Sequence, residues 1–377
     1  MPRIMIISGK SSSLINFRGD LIREWIELGH EVIAAGPEEG VEEELLSLGA
    51  TFIKIPLNRT GINPVSDIKF LKNLIEVFKK EKPDIVFSYT IKPVIYGSIA
   101  AKLAGVKNIY SLVTGLGYTF SNGGFLKQKL LQKLVSLQYK LAFKFNQKVF
   151  FQNPDDIQLF KEKKIISDNN VVLVNGSGVN TYEFDYSDPK TDRISFLLIA
   201  RLIWGKGIGE YIEAARKIKE KYPDVLFMLI GPLDNNPDSV KKKDIEEWES
   251  EGIVEYLGEK DDVRPYLKKC SVFVLPSYYR EGVPRTIQEA MSVGRPIITT
   301  DAPGCRETVV EGENGYLIPT KDSNYLAKTI EEFIKNPDMI KKMGLKSREI
   351  AENKFDVNLI NDKILTEMGL SRAKGGT

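Results

Sequence analysis

Acidic residues are absent from a long part of this chain, although the chain as a whole is close to neutral. From residue 85 to residue 154 there is no Asp or Glu, whereas the same stretch carries nine lysines and no arginine. Because the formal charge of the whole chain is +2, the remainder carries −7. Such an asymmetry predicts an anionic partner for the part of the protein that contains the basic stretch.

Cysteine, histidine and long apolar runs are also scarce. The two cysteines, Cys270 and Cys305, have no C-x-x-C partner, which argues against a disulfide framework or a zinc site and favours a reducing cytoplasm. No run approaches the roughly 20 apolar residues of a membrane span, and the run 4–7 is too short for a signal peptide. The only histidine, His30, lies in a pattern typical of an ordinary helix-to-strand turn.

Length and the spacing of apolar runs indicate two α/β domains. A chain of 377 residues is too long for one ordinary core. Short apolar runs alternate with helical patterns, which predicts doubly wound parallel sheets. The predicted strands cover residues 4–7, 32–35, 52–55, 85–88, 109–113, 149–151 and 171–174, and then 195–200, 226–230, 254–257, 272–275 and 296–299. The polar segment 184–192 predicts the linker, and two such sheets predict a cleft that binds ligands at strand carboxyl ends.

Two glutamates, Glu281 and Glu289, follow the predicted strand 272–275. Pro284 fits the first turn of a helix, so Glu281 is predicted on a loop and Glu289 about one and a half turns into the helix. The helix start offers N–H groups to an anion, and carboxylates accept hydrogen bonds from sugar hydroxyls. The pattern indicates a sugar-nucleotide site; its alternative is a surface helix with two solvated glutamates.

This stretch resembles the paired-glutamate motif of the retaining GT-B glycosyltransferases of family 4. The resemblance extends from Ile4-Met5-Ile6-Ile7-Ser8 to Lys354-Phe355-Asp356. It is strongest to the bacterial N-acetylgalactosaminyltransferase-like members that extend undecaprenyl-diphosphate-linked glycans. It implies an α/β fold of the GT-B type, in which two Rossmann-like, doubly wound parallel-sheet domains face a cleft. Residues 1–185 would bind the acceptor and residues 193–356 the UDP-sugar, and a C-terminal helix within 357–377 would cross back to the first domain.

The resemblance also implies roles for individual residues. Arg201 and Lys206 would bind the donor diphosphate and act with Glu281 in catalysis. The other positions would bind the sugar nucleotide: Glu289 at the ribose, Gly282, Val283 and Pro284 facing the sugar, Thr286 and Ile287 N–H at the β-phosphate, Gly231, Lys260 and Val263 at uracil, and Gly9 at the phosphates. For the loop around Gly9, a simple helix cap is the alternative.

The chain departs from the family at histidine. Many members carry a catalytic-looking histidine in the first domain, and here the corresponding position falls on residues 88–93 or 114–117, which contain none. We therefore expect a front-face mechanism, in which the leaving phosphate oxygen takes the acceptor proton. Thr90, Lys92 and Thr114 are candidates for acceptor or sugar contact. Because no Asp-x-Asp occurs, we expect neither a cofactor nor a divalent metal.

The basic stretch contains a predicted helix within residues 123–148. At 100° per residue, four lysines fall within about 60° of one another; they are Lys129, Lys133, Lys140 and Lys144. The helix either packs on the core with a solvated lysine edge or docks on an anionic bilayer, with Tyr118, Phe120, Phe125 and Leu126 as apolar anchors. Lys129 and Lys133 would then lie near the acceptor. We expect no nucleic-acid partner, because the stretch lacks arginine and any recognisable module.

Together these patterns predict a retaining glycosyltransferase on the cytoplasmic face of the cell membrane. It would move a hexose or N-acetylhexosamine, in the first instance N-acetylgalactosamine, from a UDP-sugar to a polyprenyl-diphosphate-linked glycan in surface polysaccharide or glycoprotein glycan assembly. Three alternatives remain open at this point: a soluble acceptor, a UDP-sugar-binding subunit without activity, and a sugar-nucleotide epimerase, for which His30 is badly placed.

Overall fold

Two compact units make up the computed structural model of this chain, which describes residues 1–58, 63–120, 126–234 and 238–371. The first unit contains Met1–Ser177 together with the final segment that begins at Asn358, and the second contains Gly178–Val357. Each unit holds one parallel sheet with helices, so the predicted α/β pattern is confirmed.

The first unit is built on a seven-stranded sheet in the order β3-β2-β1-β4-β5-β6-β7, and all the strand pairs are parallel. Its strands are β1 (Arg3–Ile7), β2 (Glu31–Gly36), β3 (Thr51–Lys54), β4 (Ile85–Tyr89), β5 (Asn108–Val113), β6 (Lys148–Phe151) and β7 (Val171–Leu173). The helices between them are α1 (Ser12–Asn16), α2 (Gly19–Glu27), α3 (Glu42–Ser47), α4 (Pro64–Glu81), α5 (Ser98–Ala104), α6 (Leu126–Phe143) and α7 (Pro154–Glu162).

Both faces of this sheet are buried, which explains why its strands are continuous apolar runs in the sequence. Successive side chains of a strand point to opposite faces. Ile4 and Ile6 of β1 accordingly pack in one hydrophobic cluster with Trp25, whereas Met5 and Ile7 pack in another cluster on α4.

The second unit repeats the scheme with six parallel strands in the order β10-β9-β8-β11-β12-β13. Its strands are β8 (Ser195–Ile199), β9 (Leu226–Ile230), β10 (Glu255–Tyr256), β11 (Val272–Leu275), β12 (Ile297–Thr300) and β13 (Gly315–Ile318). Its helices are α8 (Ile208–Lys221), α9 (Lys242–Ser250), α10 (Arg264–Lys269), α11 (Arg285–Ser292), α12 (Ser323–Lys335) and α13 (Asp338–Ile350).

The final helix, α14 (Val357–Met368), contributes to the core of the first unit. Ile360 and Ile364 join the hydrophobic cluster of β1. The Lys148 ammonium lies 2.7 Å from the Glu367 carboxylate. The C-terminal segment of the chain therefore belongs to the same unit as its N-terminus.

The chain passes between the units at Ser177–Gly178 and returns at Val357–Asn358. A Cβ at Gly178, where φ is +81°, would lie 2.7 Å from Val357 Cα, so the two passages run side by side. The segment 184–192, which the sequence analysis interpreted as the linker, lies inside the second unit. Its Phe184 is part of that unit's core, and Arg295 Nη2 donates to Ser187 O over 2.7 Å.

Helix α6 packs on the first unit through one face only. Val135, Tyr139 and Phe143 of this face are buried in a cluster with Phe160. The prediction that Phe120 is an apolar anchor is wrong, because its side chain is only 4% exposed and its ring packs 5.7 Å from that of Phe160. The predicted anchor Phe125 and the side chains of Tyr118 and Leu126 lie outside the described residues.

Candidate active site

Two loops of the second unit, which follow β8 and β11, are tied together by their backbones. Gly205 O accepts hydrogen bonds from Tyr278 N at 3.0 Å and from Tyr279 N at 2.9 Å. Next to it, Gly207 has a φ of +78°, and a Cβ there would lie 2.1 Å from Pro276 O. Only glycine allows this approach, so the local sequence of the first loop fixes its position against the second.

Lys206 and Glu281 meet where these loops touch. Lys206 ends the short 3₁₀ turn Trp204–Lys206 and is only 8% exposed. Its Nζ donates to Glu281 Oε2. The second carboxylate oxygen, Oε1, accepts a hydrogen bond of 2.9 Å from Ser277 Oγ. A cation and a carboxylate that are 75 positions apart in sequence thus form one largely buried pair, which salt screens less than a surface pair.

A third loop, after β12, supports the Glu281 loop. Gly304 has a φ of +82°, and a Cβ there would lie 1.6 Å from Gly282 O. Burial raises the pKa of the adjacent Cys305 thiol to about 12, and the nearby Glu281 charge acts in the same direction. Cys305 therefore stays a thiol at neutral pH and is no nucleophile. The sequence analysis had assigned no role to either residue.

Helix α11 begins directly after Pro284 and carries Glu289. The first turn of a helix leaves N–H groups without intrahelical partners, and those of Thr286 and Ile287 belong to this turn. Glu289 is buried, and Arg285 Nε donates to its Oε1 at 3.0 Å. Burial raises the pKa of Glu289, while the Arg285 guanidinium opposes the rise. Arg285 was not predicted, although its i,i+4 spacing from Glu289 is a signal that could have revealed it.

Arg201 lies two residues beyond the end of β8 and is half-buried. Its Nη1 lies 2.7 Å from Asp234 Oδ2, and neither side chain is more than about a third exposed. The structure thus compensates the Arg201 charge with a carboxylate that the sequence analysis did not single out.

The positions predicted to contact uracil lie around the ends of β9 and β10. Gly231, with a φ of +150°, has its N–H bonded to Gly258 O at 3.0 Å, and a Cβ there would lie 1.7 Å from Ala200 O. Lys260 holds its ammonium 5.7 Å from the ring centroid of Tyr266. Val263 directly precedes α10 and packs on the core of the unit. Like Arg201, Gly231 follows the carboxyl end of its strand.

In the first unit, Gly9 and Thr90 are joined at the carboxyl ends of β1 and β4. The Gly9 N–H donates to Thr90 Oγ1 over 3.1 Å. Thr90 has a φ of +69°, an uncommon conformation for a β-branched residue that costs on the order of 1–3 kcal/mol. Thr114 follows β5, the neighbour of β4. The two threonines predicted to contact the acceptor therefore lie at the ends of adjacent strands.

Lys92 forms contacts within the first unit, and His30 lies at the opposite end of the sheet from Gly9 and Thr90. Lys92 Nζ donates to Asp67 Oδ1 and to Asn58 O, both over 2.7 Å. Tyr96 Oη also donates to Asp67, at 3.1 Å. His30 lies just before the amino end of β2, opposite to the strand ends that carry Gly9 and Thr90.

The lysines predicted nearest the acceptor, Lys129 and Lys133, lie on the exposed face of α6. In the described ranges, no group of three or more His, Cys, Asp or Glu side chains is arranged to hold a metal ion. No helix among the residues that the structure describes combines the length and apolarity needed to cross a membrane.

Comparison with known proteins gives two family matches. The family described as "Glycosyl transferases group 1" matches residues 181–350. The family described as "Glycosyl transferase 4-like" matches residues 15–153. The first match contains Arg201, Lys206, Glu281 and Glu289, and the second contains Thr90.

Relatives match over most of the chain. An N,N'-diacetylbacillosaminyl-diphospho-undecaprenol alpha-1,3-N-acetylgalactosaminyltransferase of Campylobacter jejuni is 28% identical over 376 residues, which cover 96% of this chain and 97% of the relative. A UDP-Gal:alpha-D-GlcNAc-diphosphoundecaprenol alpha-1,3-galactosyltransferase of Escherichia coli is 28% identical over 82% of this chain and 81% of its own.

The fold is shared with solved structures. The Anabaena protein HepE, solved in complex with UDP, has a TM-score of 0.78 at 19% identity, with 97% of this chain and 99% of that chain covered. The fold, the two family matches and the relatives together show that this chain is a glycosyltransferase of the GT-B fold, as the paired-glutamate motif had indicated.

Proposed function

We propose that this protein transfers a hexose or N-acetylhexosamine, in the first instance N-acetylgalactosamine, from a UDP-sugar to a polyprenyl-diphosphate-linked glycan, with retention and without a divalent metal. The observation that carries the proposal is the largely buried Lys206–Glu281 pair, which joins the loops that follow β8 and β11. The printed activities of the Campylobacter and Escherichia relatives support the lipid-linked acceptor. The complex of HepE with UDP supports the nucleotide.

Binding of the donor follows from the charges of the second unit. Lys206, Arg201 and the N–H groups of Thr286 and Ile287 neutralise the diphosphate, which gains negative charge as its bond to the sugar breaks. Glu289 accepts hydrogen bonds from the ribose hydroxyls, and Arg285 holds its carboxylate in place. The cationic side chains and helix start supply the charge stabilisation for which other sugar-nucleotide enzymes use a metal ion.

The transfer itself is a front-face displacement. The acceptor hydroxyl oxygen bonds to the anomeric carbon on the face that the leaving group vacates, while an oxygen of the departing β-phosphate takes the hydroxyl proton. Glu281 does not act as a nucleophile in this scheme; Lys206 and Ser277 each donate to one of its oxygens and hold the carboxylate in place, and the carboxylate keeps lone pairs for further donors. It instead accepts hydrogen bonds from the donor sugar.

The acceptor is assigned to the first unit. Thr90 and Thr114, at the ends of β4 and β5, are the contacts that we propose there. Lys92 is a weaker candidate, because Asp67 already compensates its charge. The basic charge of the same unit suits an acceptor that carries a membrane-bound diphosphate, and we propose that the protein is peripheral on the anionic cytoplasmic face of the membrane.

The proposal is tested by UDP release from a panel of UDP-sugars in EDTA, with a short-chain polyprenyl-diphosphate sugar as the acceptor. We expect release that depends on the acceptor, is largest for one donor and is unchanged by added Mg²⁺. Release that needs Mg²⁺ would refute metal independence. Release with free sugars but not with the lipid analogue would favour a soluble acceptor, and tight UDP binding without release would favour a subunit without activity.

A further inference from the structure

Four leucines of α6 face solvent in a single row. Their exposed fractions are 70% for Leu130, 49% for Leu134, 65% for Leu137 and 46% for Leu141. We call this set the leucine stripe. At 100° per residue, its members span an arc of about 60° and extend along about 16 Å of the helix. Isolated exposed leucines need no explanation, but a continuous apolar row marks an interaction surface.

A row of lysines runs beside the leucine stripe. Lys129, Lys133, Lys140 and Lys144 are all exposed, and they occupy an adjacent arc of about 60° on the same side of the helix. We call this set the lysine edge. The opposite face of α6 is the one that holds the helix on the domain, because Val135, Tyr139 and Phe143 are buried there. The outward face therefore combines apolar and cationic rows that the core does not use.

The charge of this face indicates which kind of partner binds to it. A second copy of the chain would bring two lysine edges together, and residues 85–154 contain no acid that could pair with them. An anionic bilayer can bind both rows at once, because lipid phosphates attract the lysines and the boundary between headgroups and acyl chains buries the leucines. A nucleic acid would satisfy the lysines but leave the leucines in water.

We propose that α6 is an in-plane membrane helix, with the leucine stripe at the boundary of headgroups and acyl chains and the lysine edge on the lipid phosphates. This deepens the proposed function, on which it rests, since an acceptor with a polyprenyl anchor is presented at the same surface. Insertion through the leucines makes binding persist in salt, whereas attraction by exposed lysines alone is screened.

Flotation of the protein with acceptor-free vesicles of phosphatidylglycerol and phosphatidylcholine tests the assignment. Removing two half-exposed leucines in L134S/L137S is expected to lower the partition coefficient by about 10- to 100-fold. Neutralising the charges in K133Q/K140Q is expected to lower it by about 30-fold at low salt and by much less at high salt. Because these side chains are exposed, the melting temperature should stay within a few degrees of the wild type.

Matched control variants use exposed side chains of the same unit on other helices. L46S/L103S removes two leucines that are 68% and 61% exposed, and K72Q/K79Q removes two exposed lysines of α4. Both are expected to float like the wild type. The assignment is overturned if the wild type does not bind anionic vesicles, or if L134S/L137S binds as well as L46S/L103S. It is also overturned if ultracentrifugation shows a dimer that L134S/L137S abolishes.

The activity assay keeps the two proposals separable. L134S/L137S is expected to turn over a short-chain, water-soluble acceptor at the wild-type rate, and to lose at least tenfold in rate when the acceptor is embedded in vesicles. If the wild type turned over neither acceptor, the proposed function would be overturned, whereas membrane binding by α6 would still be tested by the flotation experiment, which needs no acceptor. Equal loss of L134S/L137S with both acceptors would contradict a membrane role for the stripe.

Discussion

Replacement of Lys206 by alanine removes the cation that the structure places against Glu281. Lys206 is 8% exposed, and its ammonium donates to Glu281, which also accepts from Ser277. In the proposed reaction the same ammonium stabilises the charge on the departing diphosphate. The substitution therefore acts on catalysis and on stability, and the two effects can be measured separately.

The expected loss of turnover follows from the cost of losing one preorganised donor to a developing charge. Such a loss lowers kcat by about 10²- to 10³-fold, or roughly 3–4 kcal/mol. The stability cost is smaller, about 1–3 kcal/mol, because the substitution leaves the Glu281 carboxylate largely buried without its cation. In K206A/E281Q the unpaired charge is gone, so we expect most of that stability to return while turnover stays low.

The assay measures UDP release under saturating donor and acceptor, together with urea unfolding of each variant. Lys335→Ala is the control, because it breaks an i,i+4 ion pair with Glu331 in which the lysine side chain is 53% exposed, and such surface pairs contribute only about 0–1 kcal/mol. We expect wild-type turnover from this control. Turnover of Lys206→Ala within about tenfold of the wild type would refute the role that we give to Lys206.

Three further outcomes are expected. Glu289→Gln should weaken UDP binding by about tenfold in calorimetry, because a neutral amide is a poorer acceptor for two hydroxyls. Burial raises the pKa of Glu289, so UDP affinity of the wild type should fall as the pH drops through that raised pKa, and a profile shared with Glu289→Gln would exclude this carboxylate as the cause. Gly304→Ala should lower both the melting temperature and the turnover, since its Cβ would lie 1.6 Å from Gly282 O. Gly312→Ala is the control, because Gly312 also has a positive φ but a Cβ there would meet nothing within 4 Å. This control should lose only the stability that the backbone conformation costs, about 1 kcal/mol, and should keep its activity.

The strands were largely predictable, because strands buried on both faces are apolar runs in the sequence. Strands β1, β8 and β11 are examples, because nearly every residue in them is buried. Strand β13 was not predicted. It is a short edge strand whose two middle residues are only half-buried, so its apolar signal is weak. The segment around Ser187 was misjudged because its polar residues are held by Arg295, a contact between residues 108 positions apart.

The candidate site was predictable in its residue types but not in its pairings. The spacing of Glu281, Pro284 and Glu289 indicated a carboxylate loop followed by a helix, and α11 begins directly after Pro284. The contact of Lys206 with Glu281 depends on Gly205 and Gly207, whose backbones touch the β11 loop. No local pattern encodes that contact.

Helix α6 shows the same limit. The helical periodicity predicted the rows of lysines and leucines, but these rows are compatible both with a helix packed on the core and with a helix docked on a membrane. Which side faces the core depends on the cluster of Val135, Tyr139, Phe143 and Phe160, and only the structure shows that the leucine stripe is the side left in solvent.

The anomeric configuration of the product tests the account most directly. ¹H NMR of the reaction of an α-linked UDP-sugar with the short-chain acceptor, in EDTA, follows the anomeric proton while UDP is released. The account expects an α-linked product, formed in equal amount to UDP and about 10²- to 10³-fold more slowly with Lys206→Ala. A β-linked product would contradict front-face transfer, since inversion requires attack from the side opposite to the leaving phosphate.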